Sequence, residues 1–315
     1  MLRGAAARSA VLSGALLLAL GGLAACGGQE QQAQGGGLDT VTVEGEPGKA
    51  PEVDFAERLD PAQADTEVLV EGDGKEVETG DSVLAHLWIG NGYSQDQAFS
   101  TYEAGKPELL TVGDTLSEPI KDGIEGHPIG SRVAVLSSAE DAFGESGNAQ
   151  LGIGNKDGVL FVIDIIGEVA GEPSGPERTP AKWAPTLIEE DGVVTGFDFS
   201  DAHKPGGKLL ETTLVKGDGP AVESGQTIYV NYLGQVHGAK KPFDESYSTG
   251  TPASFPIGVG QVVKGWDQAL VGTTVGSRVI LEIPPALGYG KAGNEQAGIK
   301  GTDTLYFVVD VLGAS

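Results

Sequence analysis

Covalent and metal chemistry have little to work with in this sequence. Cysteine occurs once, at position 26, so an internal disulfide framework and a thiolate metal cluster are both excluded. Four histidines, His86, His127, His203 and His237, are scattered without metal-ligand spacing. Gly152-Ile153-Gly154 and Gly258-Val259-Gly260 lack the third glycine and distal acid of a dinucleotide fingerprint. Gly45-Glu46-Pro47-Gly48-Lys49 is too short for a phosphate loop, and no Gly-x-Ser-x-Gly elbow is present. What remains is aromatic. Trp266, Phe255 and Phe307 fall at period-two or helical spacing, as core rings do. Asp244 after Phe243, and Tyr289 between two glycines, have the setting of turn residues.

The elements that would carry these residues are a small antiparallel sheet and one helix. Thr227 to Leu233 alternates, with Ile228, Val230 and Tyr232 on one side. Val279, Leu281 and Ile283 form a second period-two face, and Leu305, Phe307, Val309 and Val311 a third. Between them, Val263 to Leu270 reads as a short helix that turns Trp266, Ala269 and Leu270 to the sheet, with Gly272 placed to end it. One helix on an antiparallel sheet gives the α+β class.

The chain repeats itself. Gly72-Asp73-Gly74 recurs as Gly217-Asp218-Gly219, and Gly130-Ser131-Arg132-Val133 as Gly276-Ser277-Arg278-Val279. From there the copies run without a gap to Gly167 and Gly313, sharing among others Asn148/Asn294, Ile153/Ile299, Phe161/Phe307 and Asp164/Asp310. A run of this length points to two copies of one domain, over 51–168 and 185–315. The Pro/Gly-rich stretch 169–184 reads as the linker between them.

At the amino terminus, Arg3 and Arg8 precede an apolar stretch from Val11 to Leu20. It is shorter than the ~20 residues a membrane-spanning helix needs but suits a secretory signal. Leu23-Ala24-Ala25-Cys26-Gly27 resembles the lipobox of bacterial lipoproteins. That resemblance implies a signal peptide over 1–25, lipid attachment at Cys26 and an extracytoplasmic protein anchored to the bacterial cell membrane. Residues 26–50, rich in Gly and Gln, read as a flexible tether. The net charge of −25 excludes nucleic acid as a partner. The first copy is the more acidic of the two, as a solvated exterior would be.

The second copy, over about Leu210 to Leu312, resembles the FKBP-type immunophilins, macrolide-binding peptidyl-prolyl cis/trans isomerases. The likeness rests on Gly217-Asp218-Gly219, Val230-Asn231-Tyr232-Leu233-Gly234, Phe243-Asp244, Phe255-Pro256-Ile257-Gly258, Val262-Val263-Lys264-Gly265-Trp266, Gly276-Ser277-Arg278 and Leu287-Gly288-Tyr289-Gly290. It implies two domains, each an antiparallel sheet curled around one short helix, and in the second an apolar pocket floored by Trp266. Tyr232, Phe243, Phe255, Val262, Val263, Ile299 and Phe307 would wall that pocket. Asp244 and the Tyr289 hydroxyl would be its polar groups, and the Val263 N–H would meet a ligand carbonyl. A further aromatic wall position of the family falls here on Ala253, and a basic partner of the pocket aspartate falls on Thr249.

The implied activity is prolyl isomerisation of unfolded or secreted proline-containing polypeptides, with macrolides as possible ligands and no cofactor or metal. The rival is a non-catalytic chaperone or partner-binding lipoprotein. Matching the copies puts Leu87 at the place of Tyr232, Ser100 at Asp244, Phe99 at Phe243, Ile120 at Trp266 and Phe143 at Tyr289. The first copy is therefore expected to keep the fold, without the pocket's polar groups and floor, as a spacer or polypeptide-binding module.

Overall fold

The computed structural model describes residues 35–315; the expected signal peptide, the expected lipid attachment at Cys26 and the start of the expected tether lie outside the described residues. The chain order is β1 (Val41–Glu44), β2 (Glu52–Phe55), β3 (Asp65–Val70), β4 (Ser82–Asn91), β5 (Asp96–Ser100), β6 (Glu108–Thr111), α1 (Glu118–Asp122), β7 (Arg132–Ser138), α2 (Ala139–Phe143) and β8 (Gly158–Glu168). A second series follows: β9 (Thr186–Glu190), β10 (Val193–Asp198), β11 (Leu210–Val215), β12 (Thr227–Val236), β13 (Asp244–Glu245), β14 (Ala253–Pro256), α3 (Lys264–Ala269), β15 (Arg278–Ile283) and β16 (Leu305–Ala314). Among the described residues, no helix is long and apolar enough to cross a membrane.

Two six-stranded antiparallel sheets result, with matching orders β3-β7-β8-β4-β5 and β11-β15-β16-β12-β13; β6 pairs with β4 as β14 does with β12. Even the irregularities agree. The β4–β8 ladder shifts register between Leu84 and Ala85, and the β12–β16 ladder between Tyr229 and Val230. The α+β reading holds, with one difference. Besides α1, the first series forms α2, capped by the Ser138 hydroxyl accepting the Asp141 N–H at 3.0 Å. The second series has Pro284-Pro285 there and makes only a 3-10 turn over Pro285–Leu287, because proline lacks the N–H and the fit that an α-helix requires.

Period-two alternation decides what each face packs against. Val279, Leu281 and Ile283 join Trp266 and Phe307 in the inner core. The alternate positions Ile280, Tyr306 and Val308 are buried as well, against Val194 and Phe197 of the β9–β10 hairpin. The first sheet is covered in the same way: Trp88, Leu136, Leu160 and Val162 pack with Leu38, Val41, Val53 and Phe55 around the β1–β2 hairpin. The expected limits therefore need correction. A copy beginning at 51 would cut between β1 and β2, and 35–50 is not a tether: Leu38 is buried and β1 pairs with β2 over four residues.

Arg132 fixes this hairpin. Its guanidinium grips Asp164 through two bonds of 2.6 and 2.7 Å and donates to the carbonyls of Gly45, Glu46 and Lys49 in the turn. The Gly48 N–H donates to Asp164 Oδ2 at 2.6 Å, and the Tyr102 hydroxyl donates to the same oxygen. Arg278, Asp310 and Tyr247 repeat the cluster in the second sheet, where Arg278 reaches Glu189 of β9.

The stretch 169–184, expected as the linker, is packed along its course rather than loose. Val169 is buried, the Ala170 N–H donates to Leu312 O at 2.9 Å, and Arg178 N–H to Leu214 O at 2.8 Å. The segment closes the free edge of β11, a side that would otherwise offer unpaired backbone groups.

Replacing Arg132 by Met leaves the Asp164 carboxylate buried without its cation, a loss expected to cost about 3–5 kcal/mol. Hydrogen exchange at the β7 and β8 amides is the measurement, and unchanged protection there would contradict the clamp.

Candidate active site

The cavity of the second sheet is built ring on ring. α3 delivers Trp266, 3% exposed, to its floor. Three rings meet the indole nearly at right angles: Tyr232 at 5.4 Å and 88°, Phe255 at 5.3 Å and 84°, Phe307 at 5.4 Å and 79°. Phe243 stands edge-on to Phe307 at 5.6 Å and 87°. Each such pair contributes about 0.5–1.5 kcal/mol beyond its buried area, so the rings hold one another in place. They enclose about 540 Å³ together with Val262, Val263, Lys264, Asp244 and Tyr289, a size that suits a small organic group.

Local sequence explains the fit. A Cβ at Gly234 would come within 2.6 Å of both Phe243 and Phe307, so only glycine lets these rings cross β12. The Phe243 N–H donates to Gly234 O at 2.9 Å and fixes the start of β13. At the mouth, the Tyr232 hydroxyl donates to Asp244 Oδ2 at 2.7 Å. Burial first, then this bond to a carboxylate, push the Tyr232 phenol well above its usual range, so it stays a donor. The Trp266 Nε1–H is buried with no partner among the described residues. The Val263 N–H makes no hydrogen bond among the described residues, while its carbonyl accepts the Trp266 N–H at 2.9 Å.

Of the residues expected at the pocket, all but Ile299 line this one cavity. Ile299 sits behind the lining, buried in the same core as Trp266 and Phe307, and its backbone pairs with Asn294 through two bonds of 2.8 Å. Its duplicate Ile153 is equally buried in the first core, so the position serves the scaffold of both copies. Among the described residues, no group of His, Cys, Asp or Glu is arranged to hold a metal.

The structure also corrects the matching of copies. The Thr101 N–H donates to Leu87 O as the Ser246 N–H does to Tyr232 O, and Phe99 lies opposite Ile89 as Asp244 lies opposite Gly234. Phe99, not Ser100, therefore holds the Asp244 place, and Ala98 holds that of Phe243. Ile89 fills the room that Gly234 leaves open, and Ile120 stands on α1 where Trp266 stands on α3.

Sequence reasoning missed Asp267. Its carboxylate accepts the Gly258 N–H at 2.6 Å and the Gly260 N–H at 2.9 Å, fastening the loop before Val262 to the first turn of α3. Both glycines have positive φ, 76° and 79°. An acid one residue after Trp266, with Gly-x-Gly upstream, was the available signal. Asp267→Ala removes two charge-assisted bonds worth about 1.5–3 kcal/mol each. Exchange of the Gly258 and Gly260 amides is expected to quicken about 10- to 100-fold on that scale; unchanged rates would show that the loop holds itself.

Residues 219–312, which contain every aromatic residue of the cavity, match the family model of the FKBP-type peptidyl-prolyl cis-trans isomerases. The chain is 41% identical over 115 residues to an FK506-binding protein of Streptomyces anulatus, covering 36% of this chain and 92% of that one. It is 41% identical over 117 residues to FK506-binding protein 2 of Dictyostelium discoideum, covering 36% of this chain and 86% of that one. The crystal structure of FkpA from Escherichia coli is similar at 35% identity, covering 40% of this chain and 53% of that one, with a TM-score of 0.32. With an aromatic cavity lying inside the matched span and a relative covered almost end to end, the chain belongs to the FKBP-type peptidyl-prolyl cis-trans isomerases.

Proposed function

We propose that this chain isomerises Xaa–Pro bonds in the cavity over Trp266, by non-covalent catalysis. The observation that carries the reading is the set of mutually perpendicular rings around Trp266, with the Tyr232–Asp244 pair at its mouth. An Xaa–Pro amide is planar by resonance, with a barrier of about 18–20 kcal/mol. Twisting it breaks conjugation, returns the lone pair to nitrogen and makes the carbonyl less dipolar. A dry aromatic cavity that holds the proline ring favours that twisted state over the planar amide, which water solvates better. The Val263 N–H is the donor for the carbonyl before or after the proline, and the Tyr289 hydroxyl is a second donor at the rim. A thousandfold acceleration needs roughly 4 kcal/mol, within reach of ring burial and one or two such bonds.

The chain as a whole is read as a tandem of two FKBP-like domains. The first, with Leu87, Phe99, Ile120 and Phe143 at the pocket positions, acts as a spacer or polypeptide-binding module. Its N-terminal segment is read as a lipoprotein signal with acylation of Cys26, which holds the protein on the outer side of a bacterial membrane. Its substrates are then secreted or envelope polypeptides that emerge unfolded and wait on slow prolines. The relatives named for FK506 support a macrolide as a second ligand of the same cavity.

The test is the relaxation rate of a short Xaa–Pro peptide, in a protease-free assay, with the full chain and its Trp266→Ala and Asp244→Leu variants. Acceleration by the parent chain should fall at least about tenfold in each, the equivalent of about 1.4 kcal/mol of transition-state stabilisation. Asp244 is exposed, so its variant keeps the fold even if removal of the Trp266 ring loosens the core. No acceleration by the folded parent would leave the non-catalytic polypeptide-binding lipoprotein as the reading.

A further inference from the structure

We infer that a second cavity beside the aromatic one is a subsite for carboxylate side chains, so that segments with Asp or Glu flanking the proline are preferred. This rests on the reading that the aromatic cavity holds proline. The second cavity, about 460 Å³, lies between the turn 237–242 and the loop 297–303, and shares Phe243 with the first. Phe243 is the wall common to both, so the residues flanking a proline held in the aromatic cavity would lie beside the second. Lys241 and Lys300 line it beside His237 and Asp303. Lys264 lines the aromatic cavity itself, and Lys291 follows two residues after Tyr289.

Composition makes this grouping informative. The chain has 45 acidic residues against 20 Lys and Arg, so acid is the expected residue at an exposed position. The first copy shows that expectation on the same scaffold. Register and capping place Asp96 where Lys241 stands, Glu118 where Lys264 stands, Glu145 at Lys291 and Gly154 at Lys300. At these four positions the second copy is basic where the first is acidic or glycine, although the first keeps one lysine in the matching loop, Lys156, at the place of Thr302.

Of the neighbouring acids among the described residues, four are already engaged, and Glu295 of the same loop is not. Asp244 accepts the Tyr232 hydroxyl, Asp267 the two loop amides, Glu245 the Ser248 hydroxyl and N–H, and Asp303 the backbone N–H of Lys300 at 2.8 Å. Among the described residues, Lys241, Lys264, Lys291 and Lys300 form no ion pair, as is true of most of the lysines; only Lys49, Lys75 and Lys121 are paired. An incoming carboxylate would meet exposed, unpaired ammonium groups. Each exposed pair adds little, but together they steer an acidic segment and fix its register.

The test uses the full chain and two labelled peptides with one Xaa–Pro core, carrying Glu or its neutral isostere Gln at both flanking positions. Binding is read by fluorescence anisotropy and isomerisation by relaxation rate. The Glu peptide should bind about two- to fivefold tighter per ion pair at low ionic strength, with the advantage shrinking as salt is added. Lys241→Gln with Lys300→Gln should bring the Glu-to-Gln ratio toward one; the ratio is internal to each variant and so is insensitive to a general loss of affinity. Equal or weaker binding of the Glu peptide by the parent, or a ratio that survives the double substitution, overturns the subsite. Binding of both peptides without acceleration defeats the isomerase reading alone, because the ratio still decides the subsite. Binding of neither defeats both.

Discussion

Each six-stranded sheet is apolar on both faces, and the need to cover both is the constraint on which the rest of the structure depends. Burial of one large apolar side chain contributes about 1.5–3 kcal/mol, so an outer face carrying Leu233, Ile280, Tyr306 and Val308 cannot be left to water. The hairpin before each sheet supplies the outer cover. On the inner side, α3 has only six residues and cannot fill the concavity of the curled sheet. What it leaves is closed by Trp266 and its ring neighbours in one copy, and in the other by aliphatic side chains beside Phe143 and Phe161. The cavity is thus the unfilled remainder of a packing problem, and the Arg–Asp–Tyr clusters that tie each sheet to its hairpin keep the surrounding walls fixed.

Because the scaffold occurs twice in one chain, the copies separate what holds the fold from what shapes the site. Ile153 and Ile299 are buried in both, as are Phe161 and Phe307. These positions are indifferent to whether a cavity exists. Gly234 and Ile89 are not: glycine lets Phe243 and Phe307 cross the strand, whereas isoleucine occupies that space and is matched by the small Ala98. A site of this kind requires several coordinated replacements, since an indole at Ile120 would keep Phe161 in the place of Phe307 but lack the counterparts of Tyr232 and Phe255.

Much of this could be read from residue order. Alternation in Thr227 to Leu233, Val279 to Ile283 and Leu305 to Val311 gave strands because each neighbour shares the same period, and Trp266, Ala269 and Leu270 marked the buried stripe of α3. The second cover was harder to see. The alternate residues Leu233, Ile280, Tyr306 and Val308 are as apolar as their neighbours, which is the signature of a sheet buried on both sides, yet the hairpins that cover the two sheets sit in or beside Gly- and Pro-rich surroundings that read as tether and linker. Register was lost around Phe99 for a different reason. A shared phenylalanine drew the copies one residue out of step, and only the backbone bonds of Thr101 and Ser246 restore the match. Asp267 was missed because its partners are backbone amides, which leave no trace in side-chain spacing.

The junction between the two sheets follows the same duplicated logic. Leu84, Ile166 and Val169 bury against Tyr229 and Leu312, and the register makes Tyr229 the counterpart of Leu84 and Leu312 the counterpart of Ile166. Like positions of the two copies therefore meet, as they do across the two-fold axis of a symmetric dimer. One apolar patch on the repeat is enough to create both halves of such a contact, so no separate linker surface has to be built. Gly313 adds to the closeness, since a Cβ there would come within 2.9 Å of Val169. In the second copy, β12 and β16 give Tyr229 and Leu312 to this junction and, a few residues along, Tyr232, Gly234 and Phe307 to the cavity. The strands that dock the copies are the strands that seat the rings, and the first copy braces the cavity wall through them without contributing a residue to the cavity lining.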